Sequence, residues 1–230
     1  MNELALIFSV PLIFFSVIIA YRLFGRQGMF AFTVIATILA NIEVLIIIKA
    51  FGMEQTLGNV LFAATYLVTD ILSENEGKKY ASKAVHIGVF TSVMMLMITQ
   101  YWFLFVPSSS DFAMPAIKTI FSTTPRLMLA SLVGYAVSQR LDVFLYHKLW
   151  DFTTKQTGDK KRFLWLRNNA ATLISQIVNT LIFNLFAFAG IYEAKTLVSI
   201  VISSYVIYVF TSFLDTPFVY LARRIKEKTK

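Results

Sequence analysis

The chain has no cysteine, which excludes disulfide bonds, thiolate catalysis and cysteine-ligated metal sites. Only two histidines occur, His86 and His147, and neither has a second histidine or a carboxylate at the spacing of metal ligands. HExxH, GxSxG and Walker-type nucleotide-binding motifs are also missing. We therefore predict that the protein is not an enzyme, uses no cofactor and holds no metal. Because a Walker-type motif is missing, any ATP hydrolysis would need other subunits.

Charged residues are scarce as well. They make up 15% of the 230 positions, whereas hydrophobic residues make up 57%. Soluble chains average about 25% charged and about 45–50% apolar residues. This composition, together with long apolar runs and no polar stretch large enough for a second domain, predicts an all-α membrane protein built as one polytopic helical bundle.

The apolar runs predict seven membrane spans. Each is near the length of about 20 residues that crosses a bilayer as a helix. Their expected bounds are 3–21, 28–51, 57–75, 82–106, 123–146, 166–190 and 196–221. The third span is short and ends in charged and amide residues, so a tilted or partly re-entrant segment is the alternative there.

The basic residues predict the orientation of these spans. Sixteen of the 21 lysines and arginines flank alternate connections and the C-terminal tail, on one side of the membrane. Because positive residues near span ends stay in the cytoplasm, the N-terminus is expected outside and the C-terminus in the cytoplasm. The same distribution explains the net charge of +8 without a nucleic-acid partner, so the bilayer itself is the expected partner of the basic face.

Carboxylates within the spans are the strongest functional signal. An ionisable group at mid-membrane costs at least about 2.5–3.5 kcal/mol, so such groups face a bundle interior or a wet cavity. Asp70 and Glu74 lie one helical turn apart, and Tyr66 and Phe62 continue the same row, while Glu43 lies in another apolar run. This row of aromatic and carboxylate side chains suits a flat solute that forms hydrogen bonds. Glu74, at the cytoplasmic end, is expected to be solvated.

The sixth span has two chemically different faces. Polar residues recur at i, i+3, i+7 and i+10, namely Asn169, Thr172, Gln176 and Asn179. The opposite face carries the apolar residues Leu173, Ile177 and Leu181. The span is therefore expected to turn its polar face to the bundle and its apolar face to lipid. For Asn41, Gln176 and Asn179 the alternative role is an ordinary hydrogen bond between helices, at about 0.6–2 kcal/mol each.

Charged residues in the fifth span have competing interpretations. Arg126, just after Pro125, either reaches the outer headgroups or lies at the mouth of a cavity as a gate. Arg140 and Asp142 are expected to anchor the span at the membrane interface.

Four segments carry a family resemblance. They read ANIEVLIIIK (40–49), YLVTDILSENEGKKYA (66–81), RLMLASLVGYAVSQRLD (126–142) and LWLRNNAATLISQIVNTLIF (164–183). In this order they resemble the signature segments of the queuosine precursor transporter family, also called the putative vitamin uptake transporters. The resemblance covers the chain from the second span onward. It implies a six-helix core at 28–222, preceded by an extra N-terminal span and loop at 1–27 and followed by a basic cytoplasmic tail at 223–230.

The resemblance implies a function. The family is similar to the substrate-binding membrane subunits of energy-coupling-factor importers, and its members import 7-deazaguanines such as 7-cyano- and 7-aminomethyl-7-deazaguanine. We therefore expect a bacterial plasma (inner) membrane transporter of such a small molecule. A vitamin-binding membrane subunit of an energy-coupling-factor importer is the alternative. Which base is carried, the coupling ion, any coupling subunits and the oligomeric state stay open.

The expected substrate-binding residues follow from the polar positions and the resemblance together. They are Asn41, Glu43, Phe62, Tyr66, Asp70, Arg126, Gln139, Asn169, Gln176 and Asn179. Asp70 or Glu43 would accept the N–H groups of the base edge, the amides would add hydrogen bonds, and Tyr66 or Phe62 would stack on the ring. The chain departs from the family pattern twice, with Phe62-Ala63 in place of Phe-Pro and Asn179 in place of an aspartate.

Overall fold

The computed structural model describes residues 1–121, 125–191 and 193–229. Within these ranges the chain forms seven α-helices, one short 3₁₀ helix and one β-hairpin. The helices are α1 Asn2–Glu43, α2 Asn59–Asn75, α3 Lys78–Tyr101, α4 Met114–Phe121, α5 Pro125–Thr157, α6 Leu164–Phe188 and α7 Ala194–Thr229. The 3₁₀ helix is Trp102–Leu104, and the hairpin strands are β1 Ile47–Ala50 and β2 Met53–Thr56. The helical fold class is confirmed, with the hairpin as an addition.

Several helices are suited to a bilayer. By length and composition α1, α3, α6 and α7 can each cross a membrane, and α4 with α5, taken as one bent span, makes a fifth. Helix α2 has 17 residues and is buried along most of its length. The described helices therefore form a multi-pass membrane protein.

Helix α1 consists of two arms that meet at Gly25. This residue has φ 56° and ψ −140°, a conformation that is essentially restricted to glycine. The start of α1 lies against the hairpin that follows its end, because Asn2 Nδ2 donates to the Lys49 carbonyl at 2.9 Å. The backbone N–H of Phe51 likewise donates to Glu3 Oε1 at 3.4 Å. The two arms therefore run antiparallel, as two successive spans do.

The predicted second span, 28–51, is wrong at its C-terminal end. Helix α1 ends at Glu43, and the antiparallel pair of β1 and β2 follows. Residues 46–48 are three isoleucines, whose branched Cβ atoms favour an extended backbone. Lys49 consequently lies on a strand and outside any helical span.

The other predicted bounds differ from the helices mainly at their ends. The predicted start of the fifth span, residue 123, lies outside the described residues. Helix α5 continues to Thr157, beyond the predicted end at 146, and α4 occupies part of a segment predicted as a loop. Helix α7 reaches Thr229, so the predicted basic tail prolongs a helix as far as the structure describes it.

Burial separates a core from an apolar outer surface. The core contains large apolar side chains from several helices, among them Phe14, Met29, Leu67 and Ile71. The predicted faces of α6 are confirmed, because its four polar residues are buried while Ile177 and Leu181 are 43% and 44% exposed. Exposed apolar side chains of this kind match the acyl chains of a bilayer, so the polar groups of α6 face the protein interior.

Candidate functional site

Two adjoining cavities lie inside the bundle, near the end of α1 and the start of α2. Their linings share Ala40, Phe62 and Ser131. The first cavity is also lined by Val44, Thr56, Gly58, Asn59, Asn179, Phe183 and Tyr208. The second is also lined by Thr37, Asn41, Thr65, Ser92 and Tyr135. None of these described lining residues is charged, so the hydrogen-bonding groups that line the cavities are neutral hydroxyls and amides.

Phe62 is the centre of an aromatic cluster at these cavities. Its ring centroid lies 5.8 Å from that of Tyr66, 5.9 Å from that of Tyr135 and 6.1 Å from that of Tyr208. Such rings can cover the faces of a planar ligand. The first cavity leaves about 30 Å³ for the centres of water molecules, far less than a base requires. In this closed arrangement of the helices, a ring-sized ligand would fit only after the helices around the cavity separate.

Two amides beside the cavities have unused hydrogen-bonding atoms. Asn41 Oδ1 and Asn59 Nδ2 are buried and have no hydrogen-bond partner among the residues described. The second atom of each amide is occupied, because Asn41 Nδ2 donates to the Thr37 carbonyl at 2.8 Å and Tyr208 O–H donates to Asn59 Oδ1 at 3.0 Å. Buried polar groups are nearly always paired, so a free acceptor and a free donor here point to a ligand.

The row predicted on α2 leads from the cavities to the opposite end of the molecule. Phe62 lines both cavities, and the fully buried Tyr66 follows it and donates to Ser138 Oγ at 2.7 Å. Asp70 comes one turn later and Glu74 one turn after that, on the same face of the helix. Neither carboxylate lines the cavities.

Three aspartates from α2, α5 and α7 meet in the interior. Asp70, Asp142 and Asp215 are each at most 2% exposed. Donors on α6 bond one oxygen of each, in the pairs Thr172–Asp70 (3.4 Å), Ser175–Asp142 (3.0 Å) and Asn168–Asp215 (2.7 Å). The expectation that Asp142 anchors α5 at the interface is therefore wrong, because its side chain turns inward while Arg140, two residues away, is exposed.

The expectation that Glu74 is solvated is also wrong. Its side chain is 3% exposed and pairs with Arg167, which is 0% exposed. Arg167 Nη2 donates to the two carboxylate oxygens at 2.8 and 2.6 Å, and Tyr146 O–H donates to Glu74 Oε2 at 2.8 Å. Arg223 Nη1 lies 3.4 Å from Glu74 Oε1, and the guanidinium of Arg167 lies 4.3 Å from the Trp150 ring centroid. These contacts close the bundle at the end away from the cavities.

Two of the predicted amides join helices to one another. Gln139 Nε2 donates to Thr65 Oγ1 at 2.8 Å, and its Oε1 accepts from Thr69 at 3.1 Å, which ties α5 to α2. Asn169 donates to Thr216 Oγ1 at 2.8 Å and accepts from Ser212 at 3.2 Å, which ties α6 to α7. Both amides thus hold neighbouring helices together.

The remaining predicted residues divide between the cavities and other places. Asn179 lines the first cavity, and its Nδ2 donates to Gln176 Oε1 at 3.4 Å. Glu43, the last residue of α1, is half-buried and directly precedes the lining residue Val44. Arg126 lies apart from both linings.

Arg126 has contacts that identify a structural role. Its Nε donates to the Phe186 carbonyl at 2.8 Å and its Nη2 to the Ala189 carbonyl at 2.6 Å. These carbonyls are at the end of α6, where the backbone acceptors of a helix need outside donors. The side chain therefore caps α6.

Sequence reasoning missed Asn59 and Tyr208. Asn59 follows Gly58 at the start of α2, where no periodic polar pattern marks it. Tyr208 lies in an apolar helix among other aromatic residues, so its side chain had no distinguishing signal. Only the packing of α7 against α2 brings the two together.

Residues 56–222 match the family described as "Putative vitamin uptake transporter". The chain belongs to this family. A protein of Bacillus subtilis (strain 168) named "Probable queuosine precursor transporter" is 37% identical over 219 residues, which covers 95% of this chain and 93% of that protein. No solved structure matches the chain.

Membership of this family confirms the resemblance found in the sequence. The match includes α2, α3, α5 and α6, which hold most of the interior polar groups described above. The protein is therefore a multi-pass membrane protein of a transporter family.

Proposed function

We propose that this transporter imports queuosine precursors, the 7-deazaguanines with a 7-cyano or 7-aminomethyl group, through the two cavities. The observation that carries the proposal is their lining of aromatic rings and amides. A deazaguanine is planar and carries donors and acceptors side by side on its edge. The name of the Bacillus relative supports the same class of solute.

The base has a complementary group for each of its surfaces. Phe62 and Tyr208 cover the ring faces once the helices part. The free acceptor Asn41 Oδ1 receives an N–H of the base, and the free donor Asn59 Nδ2 bonds its carbonyl oxygen. Leaving the closed state costs free energy, and these new bonds offset part of that cost.

We assign the base edge to Glu43 rather than Asp70. A carboxylate can accept the ring N–H and the exocyclic amine together. Glu43 adjoins the lining residue Val44, whereas Asp70 lies two turns beyond Phe62 and is bonded by Thr172. In this proposal Tyr66, Gln139, Asn169 and Gln176 hold the walls of the site.

Asn179 is the remaining predicted contact. A Cβ at Gly134 would lie 2.8 Å from Asn179 Oδ1, so the glycine leaves room for the amide to face the first cavity. An amide both donates and accepts, which suits a base whose edge carries donors and acceptors side by side.

We also propose seven crossings of a bacterial inner membrane, with the N-terminus outside and the C-terminus in the cytoplasm. The antiparallel arms of α1 support two crossings there. Glu76 accepts from Tyr21 at 3.0 Å and from Lys226 at 2.6 Å, so the first arm, α2 and α7 all end on the same side. That side carries the basic residues expected in the cytoplasm.

Uptake by cells tests the proposal. In cells that cannot make 7-cyano-7-deazaguanine, we expect the chain to restore accumulation of the labelled base. Phe62→Ala should lower uptake about fivefold or more, because a base–aromatic stack contributes about 1–3 kcal/mol, and Glu43→Gln should lower it by removing the charge at the base edge. Membrane abundance should stay unchanged.

Phe186→Ala is the matched control, because that ring is 60% exposed on α6 and lines neither cavity. Its uptake should equal that of the natural chain. Normal uptake in both Phe62→Ala and Glu43→Gln would refute the assigned site. Uptake only in the presence of co-purifying ATPase subunits would instead favour a subunit of a larger importer.

A further inference from the structure

Asp70 and Asp142 form a pair of buried carboxyl groups with unused oxygens. Both side chains are 0% exposed. Asp70 Oδ1 and Asp142 Oδ2 have no donor among the described residues. The other oxygens of the two carboxyl groups accept from Thr172 and Ser175, which lie one turn apart on α6, so the two groups face the same short stretch of that helix. Two ionised carboxylates are acceptors only, so two such groups can share a hydrogen bond only when one of them carries a proton.

The groups around this pair supply no positive charge. Helix α7 adds a third carboxyl, Asp215, and α6 adds only neutral donors. Arg167 is committed to Glu74. No ion pair to Asp70, Asp142 or Asp215 is formed by the lysines and arginines that the structure describes.

The desolvation free energy of a buried carboxylate without a counter-charge is so high that such a group usually binds a proton and becomes neutral. The described residues contain no group of three or more histidines, aspartates or glutamates with the geometry of a metal site. The cation that best fits the pair is therefore a proton, which needs only two facing oxygens.

The carboxyl pair lies between the cavities and the basic end of the molecule. Phe62 and the cavities lie on one side of it along α2, and Glu74 lies on the other. Glu74 lines an open groove of about 460 Å³ at the basic end, together with Lys78 and Lys160. The ion pair between Glu74 and Arg167 separates the carboxyl pair from this groove.

We propose that Asp70 and Asp142 form a proton-binding site, and that its proton couples solute uptake to the proton gradient. One proton binds to a carboxylate oxygen while the site faces outside, and it leaves to water in the basic groove when the site opens inward. Because Thr172 and Ser175 on α6 bond the two aspartates, a shift of α6 changes both contacts at once. The transport part rests on the proposed function, whereas the bound proton does not.

Infrared spectroscopy tests the bound proton without any solute. The purified natural chain at neutral pH should have a carbonyl stretch of a protonated carboxylic acid that shifts in D₂O. Asp142→Asn should lose the component from the pair, because the new amide donates to Asp70 directly. Asp151→Asn, an exposed change on the same helix, should keep it. An unchanged band in Asp142→Asn, or no band in the natural chain, would overturn the site.

Transport by proteoliposomes tests the coupling. With the outside one pH unit more acidic, the natural chain should accumulate labelled 7-cyano-7-deazaguanine about tenfold, if one proton accompanies each solute, and a protonophore should abolish this. Asp142→Asn should still exchange the base across the membrane but show no accumulation. Accumulation that is indifferent to the pH gradient would overturn the coupling. If the natural chain neither binds nor moves the base, the proposed function fails while the infrared result stands.

Discussion

Replacing Glu74 by glutamine should destabilise the fold strongly. The change leaves Arg167, a 0% exposed side chain, without the carboxylate that it binds through both Nη2 contacts. Breaking a buried ion pair by removing one partner costs about 3–5 kcal/mol. For chains of this size each kcal/mol lowers Tm by about 2–4 °C, so Tm should fall by about 6–20 °C.

The assay is thermal unfolding of the purified protein in detergent, followed by tryptophan fluorescence. Glu74→Gln combined with Arg167→Met should recover part of the loss, because methionine removes the orphaned charge but still packs on Trp150. A double variant no more stable than Glu74→Gln alone would show that the loss does not come from the uncompensated charge.

The Lys161–Glu227 pair provides a control at the surface with the same shortest N–O distance. Its N–O distance is 2.6 Å, equal to that of the buried pair, but its side chains are 69% and 48% exposed. The hydrogen bond from Lys161 lowers the pKa of Glu227. Because exposed pairs often contribute nothing measurable, Glu227→Gln should leave Tm unchanged. Equal shifts in Glu227→Gln and Glu74→Gln would refute the argument from burial.

Three further changes test other parts of the account. Gly25→Ala should lower stability by about 1–3 kcal/mol through backbone strain alone, because no atom lies within 4 Å of the added methyl group; an unchanged Tm would contradict the reversal at this residue. Gly88→Ala places a methyl group against the Tyr135 ring, so it should cost about 1–3 kcal/mol and also weaken ligand stabilisation; unchanged binding would separate that ring from the site. Arg126→Gln should lower Tm but leave uptake per folded molecule unchanged, as expected of a cap; lost uptake at a normal Tm would identify a gate instead.

The faces of α6 illustrate what the sequence can predict. Asn169, Thr172, Gln176 and Asn179 recur with a helical period, and a membrane helix has no stable way to expose such a row to lipid. The direction of each side chain then follows from the helix itself. The buried row was therefore predictable without any tertiary contact.

The hairpin illustrates where the pattern is ambiguous. The apolar residues of β1 continue directly from those of α1, and a continuous apolar run has no period that separates a strand from a helix. The deciding contacts come from elsewhere in the chain, since Asn2 and Glu3 bond the segment that starts at Lys49. A prediction from the length of apolar runs takes no account of such long-range contacts.

The pairing of charged groups could not be predicted from the sequence either, because it also depends on contacts between distant parts of the chain. Glu74 and Arg167 are 93 residues apart, and their meeting depends on how α2 and α6 pack. Asp142 likewise turns inward because Ser175 on α6 bonds it. Sequence spacing identified the polar faces of α2 and α6, but it could not identify the partners of their charged groups.

The most direct test of the central claim is ligand-induced stabilisation of the purified protein. A panel of 7-deazaguanines, guanine and common vitamins is added, and the shift in Tm is measured for each. A ligand that binds only the folded state at 100 times its Kd stabilises it by about 2.7 kcal/mol. The account predicts a rise in Tm with the 7-deazaguanines that Phe62→Ala lowers and Phe186→Ala leaves intact. A flat response to the 7-deazaguanines, or a rise with a vitamin alone, would contradict it.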